Sequence, residues 1–291
     1  AFENAYKVDY DREVRETAFY NYAVARMDGG RVPFGNSVGL LQSFLVAYPD
    51  SPYSADVQRY IVTGYMSGND YASALDVINM VTNPSEQLLK TKQRVLFVLG
   101  TREYSSGKVA DAINHLTEAR RLANLDPSIA RQCNIWLGDC YYTRGNYDEA
   151  VHSYLSYINA SPSSAVSDLA LAHYDLGYTR FAQEKYSEAI TDFQNAVKLL
   201  STGRTSHPAS LEADSYSRIA DCRYYLGEYS AAADDYKKAY DLTPSSGDYA
   251  LYQYAIMQGL LKDHSGKIST IDNLTSRFPS SGLIPQALLE K

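Results

Sequence analysis

One short motif has the spacing of a serine nucleophile. Gly35, Ser37 and Gly39 form a Gly-x-Ser-x-Gly pattern, which exposes the serine hydroxyl when a strand turns sharply into a helix. No strand pattern precedes Gly35, and the segment fits a loop entering a helix with Asn36 or Ser37 as its N-cap. We therefore interpret Ser37 as a structural residue.

The other residues that could do chemistry are spread along the chain. The five histidines are His115, His152, His173, His207 and His264. None has cysteines or acids at metal-ligand spacing, and no HExxH, phosphate-binding or calcium-binding loop is present. The acidic pairs Asp148-Glu149 and Asp234-Asp235 fall on solvent-facing helix positions, whereas general acid–base catalysis needs opposed carboxylates in a cleft. The sequence therefore predicts no enzyme activity, no cofactor and no metal site.

The three cysteines also lack a role in chemistry. Cys133 and Cys140 fall seven residues apart on one predicted helix, which separates their Cα atoms by roughly 10 Å, more than a disulfide allows. Cys222 is distant in sequence. We expect three free, buried thiols.

The composition excludes several classes of protein. Of the 291 residues, 45% are hydrophobic and 21% charged, as in an ordinary folded domain. Apolar runs reach only about five residues, so no transmembrane segment is expected. The formal net charge of −7 argues against nucleic acid, whose phosphates need a basic face. The unusual feature is tyrosine, with 27 copies against eight Phe and one Trp.

An internal repeat determines the fold class. Segments beginning at residues 55, 93, 131, 170 and 213 align at spacings of 38 to 43 residues. The eighth position is mostly small, and the twenty-fourth is bulky. The twentieth position is alanine in every segment: Ala74, Ala112, Ala150, Ala189 and Ala232. Such periodicity indicates repeated supersecondary units.

Each repeat reads as a helical hairpin. Positions 4, 7, 8 and 11 share one face of a first helix, and positions 17, 20, 24 and 27 share one face of a second. The fifteenth position carries a helix breaker in four repeats, Asn69, Gly107, Gly145 and Gly227, with Glu184 as the exception. Residues 201–208 read as a longer loop between hairpins.

The clear repeats span residues 55–88, 93–126, 131–164, 170–203 and 213–246, and weaker ones span about 16–49 and 251–282. We expect an all-α domain of about seven helix-turn-helix hairpins over residues 1–291, with 283–291 beginning a further repeat. Neither end carries the polar capping helix that a solenoid normally needs. We therefore expect a segment of a longer protein, whose uncapped ends allow self-association.

The repeat frame resembles a known family. Its Leu-Gly, Gly-x-Tyr-x-x-Ala, Phe/Tyr, Ala and Pro positions resemble the tetratricopeptide repeat (TPR) over about residues 55–244. The repeats are longer than the usual 34 residues, and the family's early tryptophan is missing. The stretch 136–138 and the linkers around Pro49 and Pro279 resemble periplasmic TPR proteins of gram-negative bacteria, of the Tol–Pal-associated and outer-membrane-assembly accessory type. The resemblance implies a right-handed α-solenoid in the periplasm or at the outer membrane.

The resemblance also implies a binding surface, because first-helix positions 2, 5, 9, 12 and 13 line the concave groove of such proteins. The predicted groove residues are Arg94, Phe97, Thr101, Tyr104, Asp139, Tyr142, Tyr174, Tyr178, Phe181, Ser217, Asp221, Tyr224 and Tyr225. Position 12 is occupied by Met66, Tyr104, Tyr142, Phe181 and Tyr224, so four of its five residues are aromatic. Asp139 and Asp221 stand where a clamp for a carboxylate tail would need cations, which argues against that partner.

These features favour a non-enzymatic scaffold that binds a protein or peptide through a tyrosine-rich groove, since tyrosine is enriched at interfaces. The alternative for any single tyrosine is packing between helices with its hydroxyl in water. A second function is a glycan- or peptidoglycan-binding envelope protein that uses the same aromatic groove. A third, an α/α-toroid enzyme, is disfavoured by the short loops.

Overall fold

A computed structural model describes residues 1–8, 11–28 and 34–291. The described residues form sixteen α-helices and no strand, which confirms the all-α prediction. The helices are α1 (Phe2–Lys7), α2 (Arg12–Asp28), α3 (Phe34–Ala47), α4 (Ser54–Ser67), α5 (Tyr71–Asn79), α6 (Glu86–Ser105), α7 (Val109–Arg121), α8 (Pro127–Thr143), α9 (Tyr147–Ala160), α10 (Val166–Ala182), α11 (Tyr186–Leu200), α12 (Ala209–Tyr225), α13 (Tyr229–Leu242), α14 (Asp248–Leu260), α15 (His264–Arg277) and α16 (Ile284–Glu290).

Helices α2 to α15 form seven consecutive hairpins within the described residues, as the repeat predicts. The chain divides into two compact units, an N-terminal unit of residues 1–133 and a C-terminal unit of residues 134–291. The single domain over residues 1–291 stays a prediction.

The turn inside each hairpin has a left-handed backbone at the predicted fifteenth position. The φ angles lie between 60° and 80° at Asn69, Gly107, Gly145, Glu184 and Gly227. Glu184, the exception by residue type, adopts the same conformation as the glycines. Lys262 does so in the seventh hairpin, at 66°, and this turn places the start of that hairpin at Asp248, where α14 begins. The predicted boundary at residue 251 lies three residues later.

Small residues allow the two helices of a hairpin to approach closely. The alanines of the twentieth position are all fully buried. A Cβ added to Gly138 would lie 2.5 Å from the Tyr154 ring, and one added to Gly177 would lie 2.8 Å from Phe193. The eighth-position glycine therefore makes room for the bulky twenty-fourth residue of the same hairpin.

The Gly-x-Ser-x-Gly segment lies inside a helix. Because α3 begins at Phe34, the prediction of Asn36 or Ser37 as an N-cap is wrong. The Ser37 side chain is buried, and its hydroxyl donates to the Arg26 carbonyl at 3.3 Å. It is therefore not presented as a nucleophile. The sequence also predicts a long loop over residues 27–34, and residues 29–33 of it lie outside the described ranges.

Other sequence predictions are confirmed by the structure. Cys133, Cys140 and Cys222 are free and buried, and residues 201–208 form the loop between α11 and α12. No helix in the described part of the chain is long and apolar enough to cross a membrane.

The short helix α16 follows the seventh hairpin. It buries Ala287 in a cluster with Leu251 and Leu274, and Glu290 forms an ion pair with Lys267 at 2.7 Å. Its Leu289 is 90% exposed. This helix thus packs on the last hairpin and still presents an apolar side to solvent.

Candidate partner-binding site

The predicted groove residues fall in both units. Arg94, Phe97, Thr101 and Tyr104 belong to the N-terminal unit, and the other nine belong to the C-terminal unit. The two sets are therefore described within their own units, and one line of aromatics through both stays a prediction.

In the N-terminal unit, Arg94 is exposed and lines a cavity of about 490 Å³ with Met66, Tyr71 and Lys90. Phe97, Thr101 and Tyr104 are half-buried on α6. The Thr101 hydroxyl donates to the Val98 carbonyl at 3.0 Å. Its proton is therefore already used in a hydrogen bond within the helix.

In the C-terminal unit, two predicted groove aspartates accept bonds from core tyrosines. The Tyr154 hydroxyl donates to Asp139 at 2.6 Å, and the Tyr236 hydroxyl donates to Asp221 at 2.5 Å. Both tyrosines are almost fully buried, and a buried hydroxyl without a partner is costly. These aspartates, at the ninth position, therefore satisfy tyrosines at the twenty-fourth.

Asp221 also joins a larger cluster. Its carboxylate accepts a second bond from the Tyr249 hydroxyl at 2.7 Å and pairs with the Arg218 guanidinium at 2.6 Å. Arg218 lies 3.5 Å from Asp214, and Asp214 accepts bonds from two further hydroxyls at 2.7 Å each. We call these residues the tyrosine–carboxylate network: Tyr174, Tyr178, Asp214, Arg218, Asp221, Tyr236 and Tyr249.

The network keeps its tyrosines protonated. Burial raises the pKa of Tyr178 to about 12, and it raises the pKa of Tyr249 as well. Burial also raises the pKa of Asp221, while Arg218 and the tyrosine hydroxyl bonds oppose that rise. At neutral pH the tyrosines are hydrogen-bond donors, and the Arg218 ion pair favours the carboxylate form of Asp221.

A cleft of about 410 Å³ opens beside the network. We call it the aromatic cleft, and its lining residues are Phe181, Arg218, Asp221, Tyr224, Tyr225, Tyr236, Tyr249, Tyr252, Gln253, Ile256 and Glu290. Tyr225 is 58% exposed and Tyr224 is 42% exposed, so two tyrosine rings meet solvent beside a more buried network. A cleft with aromatic walls and a few polar groups suits ligand binding.

The exposed tyrosines are held by other rings. Tyr225 stacks on Tyr186 with ring centroids 4.7 Å apart and an interplanar angle of 7°. Phe181 packs its edge against both, at 5.5 and 5.9 Å. Tyr224 contacts Tyr225 at 5.6 Å and Tyr229 at 5.9 Å. Held rings lose little conformational freedom when they bind a partner.

The remaining predicted residues of this unit lie elsewhere. Tyr174 and Tyr178 are half-buried in the network. Ser217 is buried and donates to the Ala213 carbonyl at 3.2 Å. Tyr142 is 36% exposed, beside Tyr147 at 5.7 Å, and is not among the residues that line the aromatic cleft. The structure thus brings together Phe181, Asp221, Tyr224 and Tyr225.

The lining residues that the sequence prediction missed include three from the seventh hairpin, Tyr249, Tyr252 and Ile256. With the seventh hairpin starting at Asp248, they occupy positions 2, 5 and 9, which are groove positions of the repeat. A register counted from the turn at Lys262 would have identified them.

The acidic residues, histidines and cysteines do not form a metal centre in the ranges that the structure describes. No group of three His, Cys, Asp or Glu side chains there could hold a metal ion. Two histidines face acids: His115 lies 2.7 Å from Glu103, and His173 lies 3.5 Å from Asp192.

Comparisons with known families identify the repeat. Two tetratricopeptide repeat family models match residues 97–165 and 168–245, which together span half of the chain. No curated protein matches the chain significantly in sequence.

Solved structures share the helical architecture. The C-terminal part of a TPR repeat-containing protein from Cytophaga hutchinsonii has 15% identity and a TM-score of 0.56, over 92% of this chain and 99% of that chain. MamA from Desulfovibrio magneticus RS-1, from residue 41 to its end, has 18% identity and a TM-score of 0.53, over 66% and 97%. YrrB, described as a TPR protein with an unusual peptide-binding site, has 16% identity and a TM-score of 0.53, over 66% and 90%. At these identities the likeness shows the fold alone.

Proposed function

Because the chain belongs to the tetratricopeptide repeat family, we propose that it is a non-enzymatic scaffold that binds a polypeptide partner in the aromatic cleft. The observation that carries the proposal is the pair of exposed rings, Tyr224 and Tyr225, beside a cleft of about 410 Å³. Contiguous exposed patches of apolar side chains on a protein surface often mark interaction sites.

The chemistry of the cleft suits a peptide. Tyrosine rings bury apolar side chains, and their hydroxyls bond to a peptide backbone. Gln253 adds an amide that donates and accepts. The peptide-binding site described for YrrB lends support by analogy of fold. The partner would extend along the other predicted groove residues of the C-terminal unit, including Tyr142.

Substitution of one exposed ring tests this function. Tyr225→Ala removes a largely exposed side chain, so the fold should persist, and loss of a central interface tyrosine costs about 2 kcal/mol or roughly thirtyfold in affinity. Leu261→Ala is the control, because Leu261 is 46% exposed and does not line the cleft. The assay is capture of partners from the native organism, quantified by mass spectrometry. If Tyr225→Ala and Leu261→Ala capture the same partners in equal amounts, the aromatic cleft is not the binding site.

The alternative function is glycan or peptidoglycan binding. The observation that favours it is the exposure of Tyr224 and Tyr225, since tyrosine rings stack on sugar rings as well as on peptide side chains. A panel of glycans and peptidoglycan fragments, applied to the same variants, separates the two. Binding that depends on Tyr225 in the glycan panel alone would favour the alternative.

We also propose an envelope location, periplasmic or associated with the outer membrane, in a gram-negative bacterium. The support is the resemblance of residues 136–138 and of the linkers at Pro49 and Pro279 to periplasmic TPR proteins. Fractionation of the native cells, followed by immunoblotting, tests it. Recovery in the cytoplasmic fraction would reject it.

Self-association through α16 is a further part of the proposal. Leu288 and Leu289 are 55% and 90% exposed on that helix, and neighbouring exposed apolar side chains favour pairing. Sedimentation velocity of the parent and of a Leu288→Glu, Leu289→Glu variant tests it. We expect a concentration-dependent dimer that the variant loses.

A further inference from the structure

We propose that the segment held in the aromatic cleft is cationic, and that a lysine or arginine of the partner lies against Tyr224 and Tyr225. This inference rests on the proposed function and specifies the chemistry of the partner. It follows from the charges beneath the cleft, from the faces of its walls and from the charge of the unit around it.

The charges beneath the cleft leave an acidic excess. Asp214 and Asp221 share a single cation, Arg218, at 3.5 and 2.6 Å. Arg218 is the one cation among the described residues that line the cleft. The group therefore holds two acidic side chains for one basic side chain. An incoming cation is attracted to this group, and an incoming carboxylate is repelled.

The walls of the cleft offer faces that bind cations. The face of a tyrosine ring carries negative potential and attracts ammonium and guanidinium groups within about 6 Å. The chain already uses this contact beside the cleft, where the Arg218 guanidinium lies 5.1 Å from the centre of the Tyr249 ring and 5.9 Å from that of Tyr178. Tyr225 and Tyr224 are 58% and 42% exposed, so a cation of the partner can reach their rings.

The charge of the C-terminal unit supports the same partner. Residues 134–291 carry 19 Asp and Glu against 13 Lys and Arg, whereas residues 1–133 carry 15 against 14. The acidic excess of the chain therefore lies mainly in the unit that contains the aromatic cleft. Such a field raises the association rate of a basic partner and disfavours an acidic one.

Selection from a peptide library tests the inference separately from the proposed function. The probe is a displayed library of random 12-residue peptides, selected on the whole chain and counter-selected on Tyr225→Ala. We expect sequences that depend on Tyr225 and are enriched in Lys and Arg. Sequences that depend on Tyr225 and lack this enrichment, or that are rich in Asp and Glu, would overturn the cationic partner and leave the scaffold intact. Failure to find any sequence that depends on Tyr225 would overturn both.

Binding of one selected peptide to ring variants then tests the contact itself. Tyr225→Phe keeps the ring face and should bind within about twofold of the parent, whereas Tyr225→Leu keeps apolar bulk without the face and should bind about tenfold more weakly. Replacing the Lys and Arg of the peptide by Gln should have a similar effect. The cation–ring contact would be refuted if Tyr225→Leu and Tyr225→Phe bound the peptide equally well. It would also be refuted if the parent bound the Gln-substituted peptide as tightly as the original peptide. Leu261→Ala and circular dichroism serve as controls.

Discussion

Two acidic groups of the C-terminal unit make its stability depend on pH in an unusual direction. Burial raises the pKa of Asp139 to about 6, and the Tyr154 hydroxyl bond opposes the rise. Burial raises the pKa of Asp175 to about 8, and the charge of Asp139 adds to it. Within the described residues neither carboxyl has an ion pair with a basic side chain, in contrast to Asp221.

The sign of the effect follows from proton uptake. In the unfolded chain both groups titrate near pH 4. Between that pH and their folded pKa values the folded state holds more protons, so the free energy of unfolding falls as pH rises. Each proton contributes about 1.4 kcal/mol per pH unit. Between pH 5 and pH 7, a folded pKa of about 8 for Asp175 should therefore lower the free energy of unfolding by about 3 kcal/mol, or roughly 6–12 °C in Tm for a unit of this size.

Thermal unfolding of the parent, Asp175→Asn and Asp168→Asn between pH 5 and 8 tests this prediction. Asp168 is exposed on the same helix, α10, and is the matched control. We expect Tm to fall with rising pH in the parent and the control, and to fall less steeply in Asp175→Asn. Comparison of the slope of Asp175→Asn with that of the parent cancels the contribution of the groups that the two proteins share. Identical slopes for Asp175→Asn and the parent would refute the assignment of a buried, protonated carboxyl.

Three further predictions concern packing and turns, all measured by urea denaturation. Gly138→Ala should destabilise by about 1–3 kcal/mol, because its Cβ would lie 2.5 Å from the Tyr154 ring. Gly39→Ala, whose Cβ meets nothing within 4 Å, should stabilise α3 by about 0.5–1 kcal/mol, and effects of equal sign at the two glycines would contradict the packing argument. Glu184→Gly and Lys262→Gly should each stabilise the protein by about 0.5–1 kcal/mol, because relief of the strain of a left-handed backbone exceeds the entropy that glycine loses on folding. A loss of stability in both variants would show that those turns are not strained.

The hairpins could be predicted from sequence because their determinants are local. Helix faces follow from apolar spacing, and the turn follows from Gly or Asn at the fifteenth position in four of the five clear repeats. Ala150 and Ala189 indicate close helix contact by size alone, and both are fully buried. Glu184 and Lys262 escaped this reasoning because the repeat imposes a left-handed turn even on residues that disfavour it.

The tyrosine–carboxylate network could not be predicted in the same way. The hydrogen bonds that connect it across neighbouring hairpins join residues 28 to 40 positions apart, such as Tyr249 to Asp221 and Tyr174 to Asp214. Such pairs depend on side-chain geometry that the repeat frame does not specify. One signal was present: aspartate stands at the ninth position in the two clear repeats that carry Tyr154 or Tyr236 at the twenty-fourth.

The network bears on how far the repeats of this unit can be exchanged. Repeat proteins are commonly treated as modules whose stabilities add, so that a unit can be deleted or transplanted. Here Asp214, Arg218 and Asp221 on α12 complete the hydrogen bonds of tyrosines on α10, α13 and α14. Removal of the α12–α13 hairpin would leave tyrosine hydroxyls in both neighbouring hairpins without their hydrogen-bond acceptors. Recombination in evolution, or by a protein engineer, would therefore have to move these three hairpins as a block.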